Sequence, residues 1–313
     1  MPSANEMESA GTPAGRGRCS EVACVVTAFR PSPQILENVH ALLAQTATVI
    51  VVDDGSGPGF ESVFAGIAAA GAEVVALPEN SGIGAALNAG VHRARKNSDI
   101  THVLTVDQDS TLPPGYVESL LAAETGARAK GVVPGLIGPA RIHGNPVLSG
   151  GTLNGVLLGK EPIQSGLLVS VEALNTLGDF RAELFIDLVD TEFYLRALDA
   201  GFPTVLADAE FDHSLGTFVE ARIFGLPVPR PGGRLKVRIA ASWRYYYIFR
   251  NRILVSRVYA ARHPAWVAAG WWADLRHLAV VTALAPGRRA RLASVLTGLA
   301  DGLRGRTGKK PGA

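Results

Sequence analysis

The sequence predicts an α/β protein built on a parallel β-sheet and followed by a basic helical appendage. Short apolar segments rich in β-branched residues recur about every 25 residues between Val22 and Val106, with helix-like segments between them; this pattern is typical of βαβ units. The net charge also changes sign along the chain. Residues 1–219 contain 12 basic and 25 acidic side chains, and residues 220–313 contain 18 and 3. The two parts therefore face different partners.

The composition excludes several classes of protein. A chain of 313 residues that is 47% hydrophobic is not disordered as a whole. Cys19 and Cys24 cannot form a disulfide scaffold and lack metal-ligand spacing, which indicates a reducing compartment. Residues 1–20 are polar and small, and predict a disordered tail and no secretory signal. The longest apolar stretch, Pro264 to Pro286, carries charges and predicts an interfacial helix, not a membrane-spanning one.

The first half of the domain alternates regularly between strands and helices. Continuous apolar strands fit burial on both faces of a parallel sheet. The spacing predicts strands over residues 22–28, 49–52, 73–76 and 102–106, and helices over residues 34–43, 60–70 and 82–96.

After Pro113 the pattern becomes irregular. Strands are predicted over residues 131–139, 155–158, 163–170 and 204–207, and a helix over residues 187–201 that Gly201 closes. Residues 216–233 are rich in Pro and Gly and predict a loop at a domain boundary. Residues 234–305 predict helical segments with many arginines, and residues 306–313 a tail.

Three polar clusters follow predicted strands: Thr27 to Arg30, Asp53-Asp54, and Asp107 to Asp109. Ligands of open α/β sheets bind at these carboxyl ends. Asp107 and Asp109 could both reach one hard cation such as Mg²⁺ or Mn²⁺, or they could form a simple turn before Pro113. Asp53 and Asp54 fit either an Asx turn or a contact to a ribose or a base.

Two predicted helix starts contain glycines or acids that could have either a functional or a structural role. Asn80, Gly82 and Gly84, with Asn88 further along, suit either phosphate binding at a helix N-terminus or close helix–sheet packing. They form neither a Rossmann fingerprint nor a P-loop.

Asp187 and Asp190 share one face of the next helix start, where a carboxylate could be a general base or could simply favour the helix dipole. Glu192 points elsewhere and could pair with Arg196. His213 follows a short strand and could be structural or a ligand.

Taken in order, these clusters resemble glycosyltransferase family 2, the inverting, metal-dependent enzymes of the GT-A fold. The resemblance extends from about Val22 to Gly216. It rests on the segments VVTAF at 25–29, VVDDGS at 51–56, NSGIG at 80–84, NAG at 88–90, DQDS at 107–110, QSG at 164–166, VDTEF at 189–193 and His213. The rhamnosyltransferase branch is similar in VDQDS at 106–110, LFID at 184–187 and YYIFRN at 246–251. This resemblance implies a mostly parallel nucleotide-binding sheet flanked by helices over residues 21–218.

The resemblance also implies roles for individual residues. Asp190 would be the general base, with Asp187 as the alternative because Val189 stands where the family often has a second acid. Asp107, Asp109 and His213 would hold Mg²⁺ or Mn²⁺. The nucleotide sugar would contact Thr27, Phe29, Arg30, Asp54, Asn80, Gly82, Asn88, Asp107 and Gln108. The acceptor would contact Gln164, Ser165, Gly166 and Glu192.

The implied activity is transfer of a sugar with inversion, most simply L-rhamnose from dTDP-L-rhamnose. The acceptor would be a hydroxyl of a lipid-linked or polysaccharide glycan of the cell envelope. A galactofuranosyl or other hexosyl transferase of the same family is the nearest alternative. A sugar nucleotidyltransferase would have a Gly-rich basic loop after the first strand, where Pro31 and Pro33 stand here. The presence of Asp107, Asp109, Asp190 and His213 together argues against a catalytically silent envelope scaffold, the other alternative.

The basic part, residues 234–305, interleaves arginines with tryptophan and tyrosine. This combination suits an anionic membrane surface. Nucleic acid would compete for such a charge, but the nucleotide-sugar pattern upstream explains a lipid-linked acceptor instead. Alternatively, some arginines only cover the acidic domain. We therefore expect a cytoplasmic protein attached peripherally to the inner face of the membrane, with no nucleic-acid partner.

Overall fold

The computed structural model describes residues 19–212, 216–223 and 226–312. Its core is a ten-stranded sheet, accompanied by three two-stranded sheets. The strands are β1 (Cys19–Ala28), β2 (Thr46–Asp53), β3 (Glu73–Ala76), β4 (His102–Asp107), β5 (Leu136–Ile142), β6 (Asn145–Pro146), β7 (Ser149–Leu153), β8 (Val156–Gly159), β9 (Leu167–Ser170), β10 (Thr204–Phe211), β11 (Thr217–Glu220), β12 (Arg222–Ile223), β13 (Leu226–Pro227), β14 (Pro229–Arg230), β15 (Gly233–Arg234) and β16 (Lys236–Ile239). The helices are α1 (Ile35–Leu43), α2 (Glu61–Ala69), α3 (Ile83–Ala94), α4 (Tyr116–Ala129), α5 (Val171–Leu177), α6 (Val189–Asp199), α7 (Arg244–Tyr259), α8 (Pro264–Leu284) and α9 (Arg288–Leu303).

The large sheet has the order β3-β2-β1-β4-β9-β5-β10-β8-β7, with β6 paired to β5. Seven of its ten strands run in one direction, and β6, β8 and β9 run in the other. The mostly parallel α/β sheet predicted from the sequence is therefore confirmed.

Helices cover both faces of this sheet because its central strands are apolar on both sides. In β1, Ala23 and Val25 join one buried cluster with α3, α5, α6 and the end of α7, whereas Cys24 and Val26 join another with α1, α2 and α4. This alternation follows from the two-residue period of a strand. The carboxyl ends of β1, β2 and β4 are thereby held at one edge of the core.

The predicted strands and helices of the first half are all present, and β1 begins at Cys19, within the segment predicted as a tail. Helix α4 was not predicted, although its buried positions have helical spacing. The reason is Glu124, an acid on the buried face. It is paired at 2.7 Å with His102 and at 2.8 Å with Arg128, so its charge is compensated inside the fold.

The connection after β10 is not the simple loop predicted over residues 216–233. Its described part is extended, and β11 pairs with β16 across two short hairpins. The predicted helical segment therefore starts at Arg244 instead of residue 234. Within the described ranges, none of the helices combines the length and the hydrophobicity that crossing a membrane requires.

Candidate active site

A cavity of about 940 Å³ opens at the carboxyl ends of β1, β2 and β4. Its walls come from three strand ends, the start of α3, the segment before α6 and the C-terminal part of the chain. The lining residues are Thr27, Ala28, Phe29, Arg30, Asp54, Asn80, Gly82, Ile83, Ala86, Asp107, Gln108, Asp109, Ile163, Gln164, Ser165, Phe185, Ile186, Asp187, Leu188, Val189, Asp190, Arg238, Trp243, Arg244, Tyr247 and Lys309. Of the seventeen residues predicted for the site, thirteen line this one cavity and three lie elsewhere in the described chain. The seventeenth, His213, is outside the described residues.

Phe29 and Arg30 form one rim of the cavity. The side chain of Gln108 binds the backbone of Phe29 on both sides, accepting from its N–H at 2.9 Å and donating to its carbonyl at 3.3 Å. The Arg30 guanidinium lies 5.0 Å from the centre of the Phe29 ring. This pair presents an aromatic face and a positive charge, which suit a base and a phosphate.

Asp54 anchors the segment that leads into α3. Its two carboxylate oxygens accept hydrogen bonds from the backbone N–H groups of Ser81 at 2.7 Å and Gly82 at 2.9 Å. Burial raises the pKa of Asp54, and these two hydrogen bonds oppose the rise. Asp53 instead accepts from the N–H of Ser56 at 2.8 Å, which is the Asx turn that was one reading of this motif.

Three N–H groups at the start of α3, where phosphate binding is predicted, are bonded within the protein. Those of Ser81 and Gly82 are bonded to Asp54, and that of Ile83 donates to the Phe185 carbonyl at 2.9 Å. A Cβ on Gly82 would lie 2.4 Å from the same carbonyl oxygen. Close packing, the alternative interpretation of the motif, is thus present at Gly82, and phosphate binding at this helix start stays a prediction.

Asp107 and Asp109 both line the cavity, and Gln164 and Ser165 hold the strand end that carries them. The Gln164 amide donates to Asp107 Oδ1, and the Asp107 N–H donates to Ser165 Oγ at 2.9 Å. Burial, followed by the nearby charges of Asp109 and Asp190, raises the pKa of Asp107 to about 7. Among the described residues no three His, Cys, Asp or Glu side chains group as a metal site.

Two buried oxygens on the cavity wall, Asn80 Oδ1 and Gln164 Oε1, have no hydrogen-bond partner among the residues that the structure describes. A buried acceptor without a donor costs about 1–3 kcal/mol. Both therefore favour a ligand that brings O–H or N–H groups into the cavity, as a sugar or a nucleotide does.

Asp187 and Asp190 stand on the same wall with different partners. The Arg244 guanidinium binds Asp187 from Nε at 3.0 Å to both oxygens. Asp190 accepts from the N–H of the adjacent Thr191 at 2.8 Å. Burial raises the pKa of both carboxyls; the Arg244 guanidinium opposes this rise at Asp187, and the hydrogen bond from Thr191 opposes it at Asp190.

The segment before α6 is strained. Phe185, Asp187 and Leu188 have φ values of 65°, 65° and 63°, which side chains with a Cβ rarely adopt. The Asn251 amide nitrogen lies 2.7–2.9 Å from the carbonyl oxygens of Leu184, Ile186 and Asp187. Helix α7 thus fixes the segment that presents both acids. The YYIFRN similarity pointed to this part of the chain without indicating its role.

Three predicted site residues do not line the cavity. Asn88 exchanges two hydrogen bonds with the backbone of Phe180, at 2.9 and 2.8 Å. Glu192 is 3% exposed and binds Arg196 at 2.7 Å and the Tyr259 hydroxyl at 2.9 Å. Gly166 serves packing, since a Cβ there would lie 2.6 Å from the Tyr116 hydroxyl. His213 lies outside the described residues, and its role in a metal site stays a prediction.

The sequence reading missed the contribution of the basic part to the cavity. Arg238, Trp243, Arg244, Tyr247 and Lys309 all line it. Their signal was the change of net charge along the chain, which brings basic side chains against an acidic site.

Comparison with known proteins agrees with this architecture. Residues 23–140 match the family model "Glycosyl transferase family 2". The dTDP-rhamnosyl transferase RfbF of Shigella flexneri is 28% identical over 255 residues, which are 76% of this chain and 80% of that protein. The succinoglycan biosynthesis protein ExoO of Rhizobium meliloti (strain 1021) is 30% identical over 119 residues, 37% of this chain and 33% of that protein.

Among solved structures, the mannosyltransferase PcManGT from Pyrobaculum calidifontis, in complex with GDP-Man and Mn²⁺, has a TM-score of 0.50 at 14% identity, covering 90% of this chain and 87% of that one. At this identity the likeness shows a shared fold alone. Together with the family match and the cavity, it supports a glycosyltransferase on a GT-A type fold, in which residues 23–140 match the family 2 model.

Proposed function

We propose that this chain transfers L-rhamnose from dTDP-L-rhamnose to a hydroxyl group of a lipid-linked or polysaccharide acceptor, with inversion at the anomeric carbon. The similarity to RfbF over 76% of the chain is the observation that carries the choice of donor. A cavity of about 940 Å³ lined by acids and an aromatic–cationic rim is compatible with a nucleotide sugar. Galactofuranosyl and hexosyl transfer remain the alternatives within the family.

In this proposal Asp190 is the general base. The acceptor oxygen forms a bond to the anomeric carbon as the bond from that carbon to the diphosphate oxygen breaks, and Asp190 takes the hydroxyl proton. Such proton transfer typically contributes about 10²–10⁴ in rate. Asp187 is the weaker candidate because Arg244 occupies both of its oxygens. Asn251 keeps both acids in place through the strained segment.

The donor would lie against Phe29 and Arg30, with the orphan oxygens of Asn80 and Gln164 accepting hydrogen bonds from it or from the acceptor. Gln164 and Ser165 also form hydrogen bonds with Asp107 at the end of β4. They position Asp107 as well as lining the acceptor side.

Asp107 and Asp109 fit Mg²⁺ or Mn²⁺. Two carboxylates that face one cavity supply hard oxygen ligands, and such ions take further ligands from phosphates and water. Asp107 gains from a cation because burial and two neighbouring acids raise its pKa. A bound ion would supply Lewis-acid stabilisation of the diphosphate. His213 is the proposed third ligand.

We further propose that the protein acts in the cytoplasm, at the inner face of the membrane. Exposed apolar residues of α8 and α9 support this attachment, among them Trp272 at 69%, Leu275 at 50% and Leu296 at 67% exposure. The exposed arginines Arg276, Arg288 and Arg289 lie on the same two helices.

The donor is tested with a panel of dTDP-rhamnose, UDP-galactofuranose and UDP-glucose, each with Mg²⁺, with Mn²⁺ and with a chelator. We expect dTDP-rhamnose to give the largest rise in melting temperature, since a ligand at 100 times its Kd stabilises by about 2.7 kcal/mol. We also expect metal-dependent release of dTDP. The Asp109→Asn variant is the matched control and should lose the metal dependence. Preference for either UDP-sugar would refute the rhamnosyl assignment but retain the transferase.

A further inference from the structure

The chain that follows α9 turns back onto the catalytic domain at a fixed place. The N–H of Gly308 donates to the Glu183 carbonyl at 2.7 Å, and Arg250 donates to the Gly308 carbonyl. The N–H of Lys310 donates to the Tyr247 hydroxyl at 2.8 Å. Residues 306–312, predicted as a tail, are therefore held on both sides of Lys309.

Arg250 links this segment to the wall that carries the acids. Its guanidinium is fully buried and also donates to the Leu184 carbonyl at 2.8 Å, at the start of the strained segment before α6. The Lys310 ammonium group lies 5.1 Å from the centre of the Tyr246 ring. The C-terminal segment and the acidic wall thus share one buried support.

Lys309, between the two anchored residues, lines the cavity. Within the described parts of the chain its ammonium group has no hydrogen bond or ion pair. Its charge nevertheless reaches Asp54: burial raises the pKa of that carboxyl, and Lys309 acts in the opposite direction. An exposed ammonium group is thus placed within electrostatic reach of the nucleotide side of the cavity.

The charge balance of the cavity shows what this group can do. Of the described residues, five carboxylates line it, namely Asp54, Asp107, Asp109, Asp187 and Asp190, against four cations, Arg30, Arg238, Arg244 and Lys309. Arg244 is engaged by Asp187, and three N–H groups at the start of α3 are bonded within the protein. A nucleoside diphosphate brings further negative charge, so it requires cations that these contacts leave available.

We propose that Lys309 binds the diphosphate of the donor, which makes the C-terminal segment part of the donor site. This inference rests on the proposed function only in that the cavity binds a nucleoside diphosphate. Lys309 acts here as a binding residue: its ammonium group contacts phosphate oxygens and takes no part in proton transfer.

The test is titration calorimetry of the full chain with dTDP and with thymidine, using competition for the weaker ligand. We expect Lys309→Gln to weaken dTDP binding about tenfold or more, as for loss of a charged hydrogen bond, and to leave thymidine binding unchanged. Lys309→Arg should retain most of the affinity. Lys236→Gln, an exposed basic position of β16 outside the cavity, is the matched control and should bind dTDP like the wild type.

Three results would overturn the inference. Unchanged dTDP affinity in Lys309→Gln would show that the lysine makes no phosphate contact, with the proposed function intact. Equal losses for dTDP and thymidine would indicate a structural role instead. If the wild-type chain binds none of dTDP, UDP and GDP with or without Mg²⁺, the proposed function fails together with the inference.

Discussion

Asp187 and Asp190 lie on one wall of the cavity, and their neighbours give them different chemistry. A carboxylate whose two oxygens both accept from a guanidinium is stabilised in its charged form and is a poor proton acceptor. Asp190 has only its own helix start as a described partner. The difference favours Asp190 as the base and gives Asp187 the task of holding Arg244.

Substitution of Asp190 by Asn should lower kcat by about 10²–10⁴ and leave the Kd of the donor nearly unchanged. Asp187→Asn is the matched comparison. It frees Arg244, so we expect it to alter KM as well as kcat. Stopped-assay kinetics with dTDP-rhamnose and calorimetry with dTDP measure the two effects. Full activity of Asp190→Asn would remove the assignment.

The same residue sets a pH dependence. Burial raises the pKa of Asp190 above the ordinary aspartate value of about 3.9. A general base works when ionised, so kcat/KM should fall as the pH drops through this raised pKa. The residual activity of Asp190→Asn should lack that acidic limb. A limb of equal position in both proteins would assign the titration to another group.

At the residue scale, the sequence predicted which acids lie in the site better than it predicted the hydrogen-bond partners of other polar residues. Asp107, Asp109 and Asp190 follow predicted strands or begin a predicted helix, and such ends converge in an α/β sheet. Asn88 of α3 and Glu192 of α6 were also predicted for the site. Their hydrogen-bond partners, Phe180 and Tyr259, are 92 and 67 positions away along the chain. Local spacing carries no information about pairs of this kind.

At the element scale, α7 and α9 pack with their backbones in close approach. A Cβ on Gly298 would lie 2.3 Å from the Tyr246 carbonyl oxygen, and one on Gly302 would lie 2.9 Å from that of Arg250. Two glycines four residues apart put a groove on one face of α9. Helix α7 lies in this groove, and it carries Asn251 and Arg250 to the strained segment.

Gly298→Ala should therefore destabilise the protein, although alanine favours an isolated helix by about 1 kcal/mol over glycine. The contact is with backbone, which cannot move aside as a side chain can. Gly126→Ala in α4 is the matched control: it is also inside a helix, and a Cβ there meets nothing within 4 Å. We expect the melting temperature to fall for the first and to rise for the second. A rise for both would contradict the close packing of α7 on α9.

The predicted elements succeeded where one rule determined the structure. Strands β1, β2 and β4 contain continuous apolar segments that are buried on both faces, and β3 at the edge of the sheet is a partly buried apolar segment. Helix α4 was missed because a buried acid interrupted its apolar face, and the compensating His102 lies on β4. Extended segments β11 to β16 were missed because their Pro and Gly content is equally typical of a loop.

At the scale of the whole molecule, several basic side chains of residues 220–313 form contacts within the protein, an alternative that the sequence left open. Arg250 and Arg291 are 0% and 1% exposed, and Arg252 binds Asp274 at 2.7 Å. Arg244 and Lys309 face the acidic cavity. Arg250 and Arg244 therefore join the basic helices to the catalytic domain, whereas Arg252 and Arg291 join these helices to one another. The part available to a membrane is smaller than the net charge suggests, and on α8 and α9 it consists of Arg276, Arg288 and Arg289.

That remaining surface makes a prediction about membranes. On α8, Trp272, Leu275 and Arg276 share one face by their spacing of three and four residues, and all three are exposed. Apolar burial in the headgroup region stabilises attachment by about 25 cal/mol per Å², and each nearby basic residue adds about 1 kcal/mol with anionic lipid. We expect the full chain to sediment with vesicles containing phosphatidylglycerol and much less with pure phosphatidylcholine vesicles.

Truncation cannot test this attachment, because α7 contributes to the core and Lys309 to the cavity. The double variant Trp272→Gln/Leu275→Gln should instead release the protein from anionic vesicles while retaining dTDP binding. Leu148→Gln/Leu153→Gln removes two apolar residues of the catalytic domain, 63% and 46% exposed, and should sediment like the wild type. If both double variants sediment equally, α8 is not the attachment surface. Binding that persists in phosphatidylcholine would show that the basic residues contribute nothing to it.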